Sequence, residues 1–213
     1  MDRSPLSNLV LRTPRLELRL PTDGELTALA MVARTGVHDP QKMPFLVPWT
    51  DPSPSFVADF VAYHHTVREQ WQPDDWRLEL GVFQAGRPIG VQVMSARNFA
   101  RERTVGSASW LGLDAQGHGY GTEMRTAILE LAFAGLGAVA AVSGAFVDNP
   151  ASARVSQKLG YVDDGVRWPS VRGNAVKENR FRLTRERFQA GGRVAVAISG
   201  LADCASLFGL TLS

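Results

Sequence analysis

Apolar residues fall at every second position through Leu16, Leu18 and Leu20, with Arg15, Glu17 and Arg19 between them. That alternation predicts a half-buried strand within 9–22. The period then lengthens. Leu26, Leu29, Ala30 and Ala33 lie three and four apart, the stripe of an amphipathic helix. Thr22 or Asp23 can cap it, and Glu25 suits its first turn. A second stripe, Phe56, Phe60, Tyr63 and Val67, predicts a helix over 55–71. Between the helices, Pro40, Pro44, Pro48, Pro52 and Pro54 exclude a long regular element. That stretch nevertheless carries Met43, Phe45, Leu46, Val47 and Trp49. A proline-stiffened apolar loop either packs over the core or lines a pocket.

Beyond it, "WRLELGVFQ" and "PIGVQVMSA" read as a hairpin, and "RTVGSASWLGL" (103–113) as a further strand. Met124, Ala127, Ile128, Leu131 and Ala132 give the inner face of a helix over 122–135. "AVAAVSGAFV" (138–147) is nearly all apolar, as for a strand covered on both faces. In "NPASARVSQKLG", Asn149 caps a short helix, Pro150 suits its first position and Gly160 ends it. "YVDDGVRW" and "KENRFRLTRERF" read as closing strands. The order predicts an α/β fold with a mixed sheet, parallel between neighbours across 103–147. Residues 1–190 form the domain. The tail, 191–213, carries strand-like "RVAVAIS" and then "LFGLTL", too apolar to be free in solvent. It docks on the body or on a partner subunit, and the second case implies a homo-oligomer.

Composition narrows the class. At 45% hydrophobic and 21% charged, the chain of 213 residues is an ordinary globule. One cysteine, Cys204, excludes an internal disulfide framework and a Cys-based zinc cluster, and no metal is expected. Net charge is only +2, with no basic block for nucleic acid. No secretory signal or membrane span is seen, so a cytoplasmic location is expected.

The chemistry concentrates in "AQGHGYGTEM" (115–124). Alternating glycines just ahead of a helix allow close backbone approach, and amides at a helix start favour an anion. A Walker A loop needs a lysine that is absent here, and Gly117, Gly119 and Gly121 lack the G-x-G-x-x-G spacing of a dinucleotide fingerprint. The remaining pattern, Gln116–His118–Gly119–Tyr120–Gly121, resembles the pyrophosphate loop of the GNAT (GCN5-related) N-acyltransferase superfamily. Within it, "SWLGLDAQGHGYGTEM", "FVDNPASARVSQKLGY" and "TPRLELRLPT" are similar to motifs of the ribosomal-protein alanine N-acetyltransferase-like branch. The proline-rich loop and the tail also resemble an actinobacterial subgroup that includes a succinyltransferase.

The resemblance implies a sheet splayed between the fourth and fifth strands, with helices on both faces, and an acyl donor, acetyl-CoA or succinyl-CoA, in the gap. Backbone near Trp110, Leu111 and Leu113 would meet pantetheine, as a partner strand would. Gln116, Gly117, His118, Gly119, Tyr120, Gly121 and Thr122 would hold the pyrophosphate. Asn149 caps its helix and, by resemblance, meets pantetheine; Ser152 would lie near the thiol, or be a polar first-turn residue. Tyr161 is structural or acts on the thiol. The family's usual glutamate base is missing, for Gly106, Ser107, Ala108 and Ser109 align there. Glu79, His38, His118 and Asp148 are the other candidates; Glu79 lies on a strand where it either faces the cleft or is a polar residue of a solvent face. Ser107 and Ser109 would widen the acyl pocket, where a succinyl carboxylate needs cationic or hydroxyl partners. Phe45 and Trp49 would bind the acceptor, a primary amine of a small molecule or peptide N-terminus. The expected activity is acetyl transfer to that amine. The alternatives are succinyl transfer and a non-catalytic acyl-CoA-binding module.

Overall fold

In the computed structural model, residues 5–210 are described. One sheet of nine strands is packed between helices on its two faces. Its first strand is two. β1 (Val10–Arg12) and β2 (Glu17–Arg19) form an antiparallel hairpin where the alternation predicts one strand. Pro14 has no amide hydrogen for a ladder, and the Thr13 N–H instead donates to Leu16 O at 2.9 Å, closing the turn. Leu11, Leu16 and Leu18 are buried as the pattern requires.

Helix α1 (Asp23–Thr35) starts in a reciprocal capping box between Thr22 and Glu25. Helix α2 (Phe56–Glu69) follows the proline-rich loop and packs on α1. Strands β3 (Asp75–Gln84) and β4 (Arg87–Arg97) form the long hairpin. β4 shows why both faces are covered. Val91 and Val93 join the α1–α2 core, whereas Met94 and Ala96 join the core on the other face. A short turn of helix, α3 (Phe99–Glu102), leads to β5 (Thr104–Leu111). Helix α4 (Tyr120–Glu130) continues as a wider turn through Leu131–Gly135 and packs under β4 and β5. β6 (Ala140–Phe146) runs parallel to β5, as predicted.

Helix α5 (Pro150–Lys158) is followed by β7 (Val162–Arg167), the small pair β8 (Ser170–Val171) and β9 (Asn174–Ala175), and β10 (Glu178–Thr184). β10 stops earlier than its pattern suggests. Thr184 Oγ accepts from the Arg187 N–H and starts α6 (Arg185–Ala190). The tail returns to the other edge, where β11 (Ala197–Ser199) pairs antiparallel with β1. Helix α7 (Leu201–Cys204) and a 3₁₀ turn at Ala205–Phe208 then bury Cys204 and Phe208. "LFGL" is therefore not a strand, and residues 211–213 of that stretch lie outside the described residues. Sheet order is β11-β1-β2-β3-β4-β5-β6-β10-β7, and only β5–β6 is parallel. Because the opening hairpin adds one strand, the expected splay between the fourth and fifth strands falls here between β5 and β6.

Candidate functional site

The gap is visible in the strand register. β5 pairs with β4 from Ser95↔Gly106 to Gly90↔Leu111. Its pairing with β6 ends after three rows, at Gly106↔Val142. β6 stays fully paired with β10 on its far side. Residues 107–111 therefore have no strand partner on the β6 side, and an extended ligand can supply one.

The glycine loop sits at the mouth of this gap. Gly117 and Gly119 have φ of +80° and +82°, a region that disfavours side chains. Gly119 caps α4 with no side-chain hydrogen bond at the cap. Among the described residues, the amides of Gly117, His118, Gly119, Tyr120 and Gly121 donate to no protein acceptor, while those of Thr122 and Glu123 reach Gly119 O. Five free donors at the start of a helix, three of them on exposed residues, make an anion cradle. Gln116 serves it from beneath. Its Nε2 donates to Val37 O at 2.8 Å and to Leu111 O at 2.9 Å, tying the loop to β5 and to the end of α1.

Arg15 is a second cation-bearing element of this cradle that periodicity did not reveal. Its Nε donates to Glu123 at 2.7 Å and one terminal nitrogen to His118 O at 3.0 Å. The guanidinium also lies 4.6 Å from the Tyr120 ring centre. A Cβ on Gly119 would stand 3.4 Å from it. Glu123 is buried and also receives the Thr13 hydroxyl, so Arg15 is fixed at the loop. Arg15 adjoins the Leu16–Leu20 alternation in sequence, but only the β1–β2 turn brings it here.

Across the gap, Asn149 Oδ1 accepts from the Ser152 N–H at 3.2 Å. Its amide nitrogen remains available to donate. The Ser152 hydroxyl has no protein hydrogen-bond partner among the described residues, at the half-buried start of α5. Trp110 turns its backbone to Val91 of β4, so Ser107, Ser109 and Leu111 carry the backbone groups that face the opening, and its ring lies on the α2 face. There Trp49 lies 5.5 Å from Trp110, and Phe45 lies 5.2 Å from Trp49. Phe56 and Phe60 complete this aromatic wall. Leu113 is exposed, and its amide already donates to Gly36 O at 3.0 Å.

Ser107 and Ser109 point to the other face, towards α4. There Arg125 is 4% exposed and bonds to the hydroxyls of Ser109, Ser143 and Ser156 at 3.2–3.3 Å. Burial lowers its pKa. Tyr161 is buried alongside, its pKa raised by the same cause. Neither the Tyr161 hydroxyl nor the Ser107 hydroxyl has a geometrically sound protein partner.

Glu79 sits on the α2 face, paired across β3–β4 with Val93 and hence, across β4–β5, with Ala108. Two strand spacings put it about 10 Å from β5. Its carboxylate accepts from Tyr63 at 2.9 Å and Arg77 at 2.6 Å, and lies 2.7 Å from His64 Nδ1. Burial pushes its pKa up, yet His64 and Arg77 outweigh that and hold it below the ordinary carboxylate range. His38 is engaged with Thr50 and Asp39 O in the proline-rich loop, whereas His118 is exposed in the cradle and Asp148 is exposed between β6 and α5. No group of three or more potential metal ligands occurs among the described residues, nor a helix long and apolar enough to cross a membrane.

The divided sheet and the amide cradle define a fold class, and the comparisons name it. Residues 15–162 match the Acetyltransferase (GNAT) domain family, and the chain belongs to that family. Its activity class is therefore acyl-CoA-dependent acyl transfer. Among solved structures, Mycobacterium smegmatis RimJ in complex with CoA-disulfide is 14% identical, with a TM-score of 0.71 and 95% of each chain covered. RimL, a ribosomal-protein alpha-N-acetyltransferase in complex with coenzyme A, is 16% identical, with a TM-score of 0.64 over 82% of this chain and 97% of that one. A chimera built on Vibrio cholerae spermidine N-acetyltransferase is 16% identical, with a TM-score of 0.63 over 82% and 98%. At these identities the likeness is one of fold.

Proposed function

We propose that the protein transfers an acyl group from an acyl-CoA to a primary amine, of a small molecule or a peptide N-terminus. Acetyl is the smallest group the reading requires. The observation that carries it is the conjunction of five unpaired amides at 117–121 with an unpaired strand edge at 107–111. The loop amides and Arg15 fit a diphosphate, and the edge fits the amides of a pantetheine arm. Asn149 Nδ2 is the side-chain donor from the opposite wall. Acyl-CoA supplies the activated thioester. In the net reaction the amide C–N bond forms, the thioester C–S bond breaks, and the amine's proton ends on the coenzyme A sulfur.

The chain's own part is orientation, which alone removes much of such a barrier. The aromatic wall of Phe45, Trp49 and Trp110 holds the amine side of the cleft. Ser152 is the hydroxyl placed to donate to the departing sulfur. Glu79, held by three partners, is a weak proton acceptor and anchors α2 beneath the wall. The amine then reacts as the neutral form or loses its proton to water. Turnover is the test. Thiol release from acetyl-CoA with a panel of primary amines should be amine-dependent. Gly119→Val should weaken coenzyme A binding about tenfold in calorimetry, because it crowds the cradle and strains the loop by about 1–2 kcal/mol. Tight coenzyme A binding without turnover on any amine would instead make the chain a binding module.

A further inference from the structure

Helices α1 and α2 pack over β3 and β4, and their core takes in no residue of β6 or β10. On this face the gap has an open floor: Ala108 is exposed, and Gly106, Val142 and Gly144 are half-buried. The register places its neighbours. Glu178, Arg180 and Arg182 of β10 pair with Phe146, Gly144 and Val142 of β6, on the same face as Gly106 and Trp110. Arg182 is level with the last paired row of β5 and β6, Gly106↔Val142. Arg180 lies one step further along that face, beside the opening.

The charges of this face do not balance within the chain. Arg180 and Arg182 are half-buried, and neither forms an ion pair among the described residues. Glu178 is the one carboxylate that β6 and β10 contribute, and it is buried. It accepts two hydrogen bonds from Arg167. A carboxylate can accept about four, so about two sites remain for a ligand. The carboxylate lies against Gly144, where an added Cβ would collide with it. Outward from the gap the order is thus a carboxylate over β6 and then, one strand spacing of about 4.8 Å away, the strand that carries two arginines. That order is the complement of an amine with an anionic group a few bonds away. A plain amine would leave both arginines without a partner.

The same face is bridged. Arg172, at the tip of the β8–β9 hairpin, pairs with Asp51 of the proline-rich loop, whose Trp49 packs on Trp110 of β5. The bridge ties the β10 side of the gap to the β5 side. It obstructs a folded protein surface more than a small molecule.

We propose that the acceptor is a small amine that also carries a carboxylate, an amino acid in class, with its N–H donating to Glu178 and its carboxylate held by Arg180 and Arg182. This rests on the acyl-transfer reading above and adds the class of acceptor.

The test is steady-state thiol release from acetyl-CoA with the common amino acids, their amides and their decarboxylated amines. For at least one amino acid, kcat/KM should exceed that of both neutral counterparts by about tenfold or more. The amide has the less basic amine, so a preference over it cannot come from amine ionisation. In the double variant Arg180→Gln, Arg182→Gln that ratio should fall to about one, chiefly through KM. Arg180→Lys with Arg182→Lys keeps the charge and loses the fork, so the ratio should fall only partly, and this covers the case in which the Gln pair does not fold. Turnover without a carboxylate preference would overturn the proposal while leaving acyl transfer intact. A ratio unchanged in either folded double variant would also overturn it. Coenzyme A binding with no turnover on any amine, or no binding at all, would overturn both.

Discussion

Ser152 shows what a single side chain can be asked to do. Its amide is consumed by the Asn149 cap, so the backbone is fixed, while its hydroxyl is left for a ligand. Ser152→Ala should therefore keep the helix start and coenzyme A affinity within about twofold, and lower turnover about tenfold or more. Equal turnover in a steady-state thiol assay would remove it from the chemistry. Residues of this kind were legible because their signal is local: a cap, a proline at the first helical position, glycines before a helix. Arg15 and Arg125 were not. Each acts through contacts more than 15 positions away along the chain, Arg15 on Glu123 and Arg125 on Ser109, Ser143 and Ser156. Their own neighbours in sequence make them ordinary members of a strand flank and a helix.

At the scale of elements, hydrophobic period located the helices and most strands, and the parallel step across β5 and β6. It misread places where one side chain ends an element. Thr13 and Pro14 break the first strand, and Thr184 converts the end of the last predicted strand into a helix. The start of α1 was legible, and it carries a measurable consequence. Arg19 and Thr22 bond to Glu25 and hold its pKa near 2 instead of 4.5. The folded carboxyl is harder to protonate than the unfolded one. Its stabilisation is thus complete above pH 4.5 and is lost as the pH falls towards 2. Glu25→Gln should lower stability by about 1 kcal/mol at pH 7. In urea melts the gap between variant and wild type should narrow steadily below pH 4.5. A gap independent of pH would show that the charge contributes nothing.

The whole molecule divides its labour across the sheet. The gap proposed for the donor lies between β5 and β6, whereas β11 of the tail joins the sheet at the opposite edge. Past β11 the tail reaches β3, where Trp71, Trp76 and Phe208 pack edge to face and ring to ring, and Trp71 Nε1 donates to Leu207 O at 2.8 Å. Phe208→Ala should cost about 3–5 kcal/mol in a denaturant melt with no change in coenzyme A affinity, since its ring contacts are to Trp71 and Trp76. Loss of affinity in proportion to stability would show that the two regions are coupled. Placement of the tail was beyond sequence reading, because an apolar stretch declares that it is covered and not by what.

The terminal strands of the nine have a consequence for life in a crowded solution. β11 offers a neighbour only three residues. β7, wholly exposed, carries Asp163, Asp164 and Gly165, and its pairing with β10 is interrupted by an irregularity. Brevity at one flank, and negative charge with a kink at the other, deny a second chain the flat template on which amyloid-like stacking begins.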